Sequence, residues 1–280
     1  LFLSMLRSIL VPFLSLKIHN STQGLSINFL LLSGKMKKTY DKIINQHYDE
    51  IANKQKKSKF STMEDEYIRD QETDFIINII KNDKKKLNIL DPGSGNGYTL
   101  DQISRLSKKF LLHGMDNNKS LFKIAHKRLS NKANIVKGDI RIFNKNFKNK
   151  FDIVISQRVL INILNESDQK KSLKNIISYL KKNGKLIAIE SFNSGLKKLN
   201  SVRVKFNLKK IKAIFHNKYL KDDFFKTKKL HKLKEENKNL SKHFFNARFL
   251  DEIYLKSKKK KNFTFNSKFT KYLDNTILEV

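Results

Sequence analysis

Leu87-Asn-Ile-Leu-Asp91-Pro-Gly93-Ser-Gly95-Asn-Gly97-Tyr98 decides how this chain is read. A short apolar run ends in a carboxylate, and a loop with glycine at every second position follows. Such a loop carries almost no side chains, so its backbone can approach a nucleotide-like ligand closely. The helix expected from Tyr98 onward places an N-terminus behind it, where main-chain N–H groups point outward. Two later stretches extend the pattern. Asp116 ends the next apolar run, at the distance from the glycine loop where a carboxylate meets a ribose diol. Asp139 ends the run after that, in Ile135-Val-Lys-Gly138-Asp139-Ile140.

Outward from this centre the chain alternates between short apolar runs and helical periodicity. Strands are expected near 86–91, 110–115, 133–138, 151–156 and 184–190. Helices are expected near 98–108, 118–130, 166–182 and 195–212. Asn165 is placed to cap the third of these helices, with Asp168 in its first turn and Gly184 as its stop. Strand and helix in alternation predict an α/β fold, a parallel sheet with helices on both faces. Residues 229–236 and 243–250 are expected to add an antiparallel edge hairpin. Upstream, Tyr40, Ile43, Ile44 and His47/Tyr48, then Phe75, Ile76, Ile79 and Ile80, form helical stripes. The expected division is an apolar, dispensable extension over 1–35, a helical cap over 36–82, the main domain over 83–254 and a basic tail over 255–280. Met36-Lys-Lys reads as a natural start, so a chain begun at Met36 is expected to keep folding and activity.

Composition narrows the chemistry. The 280 residues contain no cysteine, which excludes disulfides, thiolate metal sites, iron–sulfur clusters and cysteine nucleophiles. No His/Asp/Glu cluster has metal-ligand spacing. The longest apolar stretch, within residues 1–35, falls short of the ~18–20 residues that a membrane span requires, and a cytoplasmic protein is expected. The formal net charge is +33, which suits a nucleic-acid or anionic-membrane binder. The basic residues are mostly lysine and run throughout the chain, so the favoured reading is a general lysine enrichment. It brings loose, non-specific adhesion to polyanions.

Three strand-ending acidic residues in series behind a G-x-G-x-G loop resemble the class I S-adenosylmethionine-dependent methyltransferases. The resemblance covers roughly residues 40–250. It implies a Rossmann-like three-layer sandwich, with a mostly parallel seven-stranded sheet closed by the antiparallel hairpin. It also implies S-adenosyl-L-methionine as cofactor. Asp91, Gly93, Gly95 and Gly97 would line the methionine moiety, and Asp116 would receive the ribose hydroxyls. Asp139 and Ile140 would border the adenine, with Met115 supplying an apolar face. Tyr48, in Tyr48-Asp-Glu-Ile-Ala, resembles the family's N-terminal cap over the methionine end. NAD is the rival cofactor, but its G-x-G-x-x-G pattern requires glycine or alanine where this chain has Tyr98.

On the acceptor side, the segment Ser156-Gln157-Arg158-Val-Leu-Ile-Asn162 lacks the Asn/Asp-Pro-Pro-aromatic tetrapeptide of the amino-group enzymes that act on adenine. With Glu190-Ser-Phe-Asn-Ser-Gly195, Leu199-Asn200-Ser-Val-Arg203 and Phe215-His216-Asn217-Lys-Tyr219-Leu220, it resembles a branch found in surface-polysaccharide and other small-molecule pathways. A hydroxyl acceptor must lose a proton, and His216 is the preferred base because imidazole titrates near neutral pH. Glu190 is the second candidate or an orienting group, and Arg158 completes the catalytic set. Asn162, Asn200, Arg203 and Asn217 are candidates for binding the substrate. The expected activity is methyl transfer to a small-molecule acceptor, at a sugar or other hydroxyl. The alternatives are an RNA methyltransferase exploiting the basic surface and a non-catalytic relative that binds cofactor without turnover.

Overall fold

The computed structural model describes residues 40–58, 63–83, 85–233, 241–259 and 266–276. The expected extension over 1–35 lies outside them. The chain forms two units, 1–43 and 44–280. Of the first, residues 40–43 are described and are helical.

The second unit is built on a parallel sheet. Its strands are β1 (Asn88–Asp91), β2 (Leu111–Asp116), β3 (Ala133–Lys137), β4 (Phe151–Gln157) and β5 (Leu180–Ile189). They lie in the order β3-β2-β1-β4-β5, and every pairing is parallel. The order reverses between β1 and β4, which opens a crevice at the carboxyl ends of those strands. Helix α1 covers residues 44–55. The remaining helices are α2 (Glu66–Ile80), α3 (Tyr98–Ser104), α4 (Lys119–Leu129), α5 (Glu166–Tyr179), α6 (Asn193–Lys205), α7 (Ser241–Phe245), α8 (Asp251–Ser257) and α9 (Lys268–Thr276), with a π-turn at Asn246–Leu250 between α7 and α8.

Alternation along the strands divides the core into two layers. Ile89, Leu112, Ile153 and Ile155 join Ile76, Ile80, Leu100, Ile103, Ala125 and Leu129 from α2, α3 and α4 on one face. Leu90, Met115 and Val154 join Ile176 and Tyr179 from α5 on the other. Asp65, Asn118 and Asn165 start α2, α4 and α5 by accepting from main-chain N–H groups of the first turn. Each supplies a partner for an amide that the helix itself leaves unpaired.

Two expectations are corrected. The described sheet has five parallel strands rather than seven with an antiparallel hairpin. Residues 243–250 belong to α7 and the π-turn, and 229–233 form no strand, while 234–240 lie outside the described residues. The aromatic run His243-Phe-Phe-Asn-Ala-Arg-Phe reads as β-prone, but His243, Asn246, Ala247 and Phe249 are its buried positions. Spacings of three and four residues are those of one helix face. The second correction concerns α5, which ends at Tyr179. Gly184 lies inside β5, where an added Cβ would come within 3.0 Å of the Phe151 carbonyl oxygen. Asn183 turns the chain there with φ 65°, and the register between β4 and β5 shifts beside it.

Part of the stretch expected as a basic tail is folded. Asn266 accepts from the Glu66 amide at the start of α2 (2.9 Å). Asp274 on α9 accepts from Asn246 (2.8 Å) and Gln71 (3.3 Å). Thr270 is buried.

Candidate active site

The glycine loop lies at the mouth of the crevice and is fastened by its own neighbours. Gly95 and Gly97 have φ 54° and 77°, the left-handed region that glycine occupies without strain. An added Cβ on Gly93 would sit 2.2 Å from Val159 Cγ2, so the loop following β4 approaches the glycine loop across the crevice. The buried Asn96 donates to the carbonyls of Lys56 (3.2 Å) and Ser58 (2.8 Å). It thereby ties the loop to the chain just after α1. Further along α1, Asn118 donates to Asp49 (3.0 Å) and to the Asn45 carbonyl (3.2 Å). Helix α1 therefore lies across the ends of β1 and β2.

The strand-end carboxylates differ in what they have left to offer. Asp91 is buried, and its Oδ1 has no hydrogen-bond partner among the described residues. Burial pushes its carboxyl up to about 7, opposed by the Gly93 amide and the nearby Arg69. Asp116 accepts from the Gly95 amide on one oxygen and the Asn118 amide on the other, both at 2.8 Å. Each oxygen keeps a second lone pair, and burial pushes this group up to about 6. Asp139 is differently placed. Arg141 grips it through its backbone amide (2.9 Å), Nε (3.0 Å) and Nη2 (2.6 Å), and Asn117 adds a contact at 3.4 Å. An adenine amine would have to displace one of these donors. Met115 and Ile140 are buried beside the crevice in the layer shared with α5.

The loop after β4 is held from two sides. Glu190, at the end of β5, accepts from Ser156 Oγ (2.7 Å) and from the amides of Val159 (3.1 Å), Leu160 (3.0 Å) and Ile161 (3.2 Å). Burial pushes its carboxyl up to about 7 against these donors, which favour the charged form. Arg158 has φ 58° and turns to Glu72 of α2, with Nε and Nη2 at 2.9 and 2.5 Å from one carboxylate oxygen. Burial disfavours its charge, but Glu72 outweighs that and raises the guanidinium pKa. Asn162 donates to the Arg158 carbonyl (2.9 Å) and shares a hydrogen bond with Tyr48, whose hydroxyl pKa is raised by burial and by Asp116.

His216 lies in a ring cluster at this same mouth. Its ring stacks on His47 (4.5 Å between centroids) and meets Tyr48 (5.8 Å) and Phe215 (4.9 Å) edge-on. Burial and His47 together lower its pKa to about 4, and its Nδ1 is buried with no partner among the described residues. The loop that carries it is pinned where the Lys218 amide donates to the Ile161 carbonyl at 2.7 Å.

The residues expected from sequence therefore separate. Tyr48, Asp91, Asp116, Asn162, His216 and the three glycines converge on the crevice. Glu190 and Arg158 shape the loop beside it. Asn217 follows His216, its Oδ1 buried and unpartnered among the described residues. Asn200 and Arg203 are committed elsewhere. Asn200 bridges both main-chain polar groups of Ile211 (2.9 and 2.8 Å). The buried Arg203 donates to the carbonyls of Lys209 (2.9 Å) and Arg248 and to Glu252 (2.8 Å). Three polar residues were missed: Arg69, Glu72 and Gln157. Gln157 links Thr99 (2.8 Å) to Glu72 (3.0 Å). Arg69 is buried with its guanidinium 5.2 Å from the Tyr98 ring centroid. Positions 68, 69, 72, 73, 76 and 80 are the buried stripe of α2. Charges inside an apolar stripe were the available signal.

The donor set suits S-adenosylmethionine. A buried carboxylate with a spare oxygen can meet an ammonium, a second with open lone pairs can meet a diol, and the glycine cradle excludes side chains. Among the described residues no group of His, Asp and Glu could hold a metal ion, and no helix is long and apolar enough to cross a membrane.

No curated protein matches the chain. Three solved structures illustrate the resemblance. A TehB-like S-adenosylmethionine-dependent methyltransferase from Corynebacterium glutamicum is 23% identical over 41% of this chain and 59% of its own, with TM-score 0.36. Phosphoethanolamine N-methyltransferase 1 from Haemonchus contortus, solved with phosphoethanolamine and S-adenosylhomocysteine, is 15% identical over 56% and 33%, with TM-score 0.46. A methyltransferase from Methanosarcina mazei is 21% identical over 46% and 64%, with TM-score 0.38. The chain thus spans less than two thirds of each of these proteins. The family described as methyltransferase domain matches residues 83–266, most of the chain and all of the sheet. The chain belongs to this methyltransferase-domain family.

Proposed function

We propose that this protein methylates a hydroxyl group of a small-molecule acceptor, a sugar or a related polyol, and that His216 takes the acceptor proton. The observation that carries the reading is the state of that imidazole. It is neutral, its Nδ1 is buried and unpartnered among the described residues, and its ring lies against Tyr48. S-adenosylmethionine, when bound, supplies a methyl group already activated on a sulfonium, so positioning of the acceptor is the protein's main task. Asp91 and the loop from Gly93 to Gly97 would hold the amino-acid end, with Arg69 as the cation nearest Asp91. Asp116 would hold the ribose, and Ile140 and Met115 would face the base.

His216 acts as general base in this scheme, receiving the hydroxyl proton as the oxygen develops its bond to carbon. A positioned base is worth roughly 10²–10⁴ in rate when its pKa lies near the working pH. Burial beside His47 moves this imidazole below the neutral range expected from sequence, and so towards the lower end. In this scheme Asn217, whose Oδ1 is unpartnered among the described residues, and Asn162, through its carbonyl oxygen, would orient acceptor hydroxyls. Binding is tested first, by calorimetric titration with S-adenosylmethionine and S-adenosylhomocysteine. Acceptors are then screened with methyl-labelled cofactor, beginning with nucleotide sugars and continuing to RNA. With an acceptor in hand, His216→Ala should lower kcat by at least about 10² while leaving cofactor affinity intact. At saturating cofactor the wild-type kcat should fall only as pH drops towards about 4. Unchanged kcat in the variant, or turnover of RNA and of no small molecule, would reject the reading.

A further inference from the structure

One stretch of surface stands apart from the general spread of lysines. Between Glu190 and Asp222 every charged side chain is basic. Within that stretch the chain leaves α6 and doubles back along it. The Asn200 bridge to Ile211 and the Arg203 bond to Lys209 hold this strap in place, and Leu208 is buried beneath it. The strap carries exposed apolar side chains interleaved with exposed lysines. Val204 is 48% exposed, Phe206 58%, Ile214 55% and Phe215 44%. Lys205, Lys209, Lys210 and Lys212 alternate with them and are exposed. Phe206 rests edge-on against the buried Phe249 (5.1 Å). Phe215 rests on His47 and His216 at the crevice mouth (5.2 and 4.9 Å).

We infer that this strap docks the protein on an anionic lipid surface, with Val204, Phe206, Ile214 and Phe215 entering the interface and the lysines facing the headgroups. Apolar side chains ringed by long, flexible cations are what the boundary between headgroups and acyl chains accommodates, and lysine reaches outward from it. Charge complementarity selects the anionic leaflet, because no carboxylate of the strap opposes it. RNA is the weaker partner. Phosphate forks and base stacking use arginine and open ring faces, whereas Arg203, the only arginine of the strap, is buried and bonded to Glu252. Two of the four apolar side chains, Val204 and Ile214, are aliphatic. Docking here would bring the mouth beside His216 to the membrane plane without any spanning segment.

The test is independent of turnover and uses the full chain with vesicles of phosphatidylcholine alone or mixed with phosphatidylglycerol. The protein should co-sediment with the anionic vesicles only. Phe206→Ser combined with Ile214→Ser should weaken that binding about tenfold or more, although it removes no charge. Changing Lys205, Lys209, Lys210 and Lys212 to Gln should do the same, since each lysine near such a surface adds several-fold. Changing Lys123, Lys127, Lys171 and Lys174 on α4 and α5 to Gln alters net charge equally and should cost far less. The chain contains no tryptophan, so Phe206→Trp gives a single reporter. Its emission should shift to the blue on anionic vesicles and be quenched by brominated lipid. Equal losses from both lysine sets, unaltered binding by the apolar double variant, or an unmoved tryptophan would each overturn the inference. So would tight oligouridylate binding, lost in the same variants, without binding to vesicles.

Discussion

Two strand-end carboxylate regions flank the crevice, and they are built to opposite specifications. On the glycine-loop side, Asp91 keeps an unpartnered oxygen and Asp116 accepts one main-chain bond on each oxygen. On the far side, Glu190 is met by a hydroxyl and three amides. All three acids end strands, and all three are pushed up by burial. The difference teaches that position and perturbed ionisation do not make a binding residue. Unspent hydrogen-bonding capacity does. A saturated buried carboxylate is a rivet, and removing it exposes its donors to the cost of burial without partners.

The contrast can be broken most easily on the glycine side. Asp116→Ala removes both the diol acceptor and the partner of the Gly95 amide, and Gly95→Val forces a β-branched side chain to φ 54°. Each should lower S-adenosylmethionine affinity by about 10² or more in calorimetric titration, given that hydrogen bonds to a charged group contribute ~1.5–3 kcal/mol. Next in size is the far side. Glu190→Gln should cost about 2 kcal/mol of stability in urea denaturation, with the folded protein binding cofactor as before. Lost affinity at undiminished stability would reverse the distinction drawn between the two regions.

Protonation sharpens the comparison further. An acid raised to about 7 is mostly neutral at pH 6 and mostly ionised at pH 8. If the cofactor's ammonium needs the Asp91 carboxylate, affinity should rise about tenfold over that interval, with proton release. Asp91→Asn should flatten the profile, and a flat profile in the wild-type protein would assign Asp91 to the scaffold with Glu190. The smallest effect lies away from the crevice, at the buried His243. Burial opposes its charge, but Asp274 (2.6 Å) and Asp65 (2.9 Å) outweigh that and raise its pKa. Its stabilising contribution is therefore complete below the unfolded imidazole value and lost as pH rises through the higher folded one. Stability should fall with that increase, and His243→Gln should remove the slope.

The glycine-loop half was legible because its signals are local. Three apolar runs, each ended by an acid and the first two followed by helices, announce themselves within about fifty residues. The far half was not, because its logic is long-range. Glu72 meets Arg158 across 86 positions, and neither residue type reveals the other. Glu190 looked catalytic because sequence displays a strand-end acid without showing its donors. Asn200 and Arg203 looked like substrate ligands for the same reason, since their partners are backbone groups and, for Arg203, the distant Glu252. The supposed hairpin failed on period: aromatic density suggested a strand, while the buried positions of 243–247 follow a helix.

The fastening of α2 has a consequence for how the chain is made. Glu66, Gln71 and Asp65 find their partners at Asn266, Asp274 and His243, separations of 200, 203 and 178 residues. A ribosome delivers the sheet and the glycine loop long before those partners emerge. Loops of that length close late, so the helix that holds Glu72 against Arg158 is secured only after His243, Asn266 and Asp274 have emerged. A product cut short before residue 243 would retain the glycine-loop half and lack the lock on the other. Completion of the far side thus waits on residues that lie well beyond the sheet in sequence.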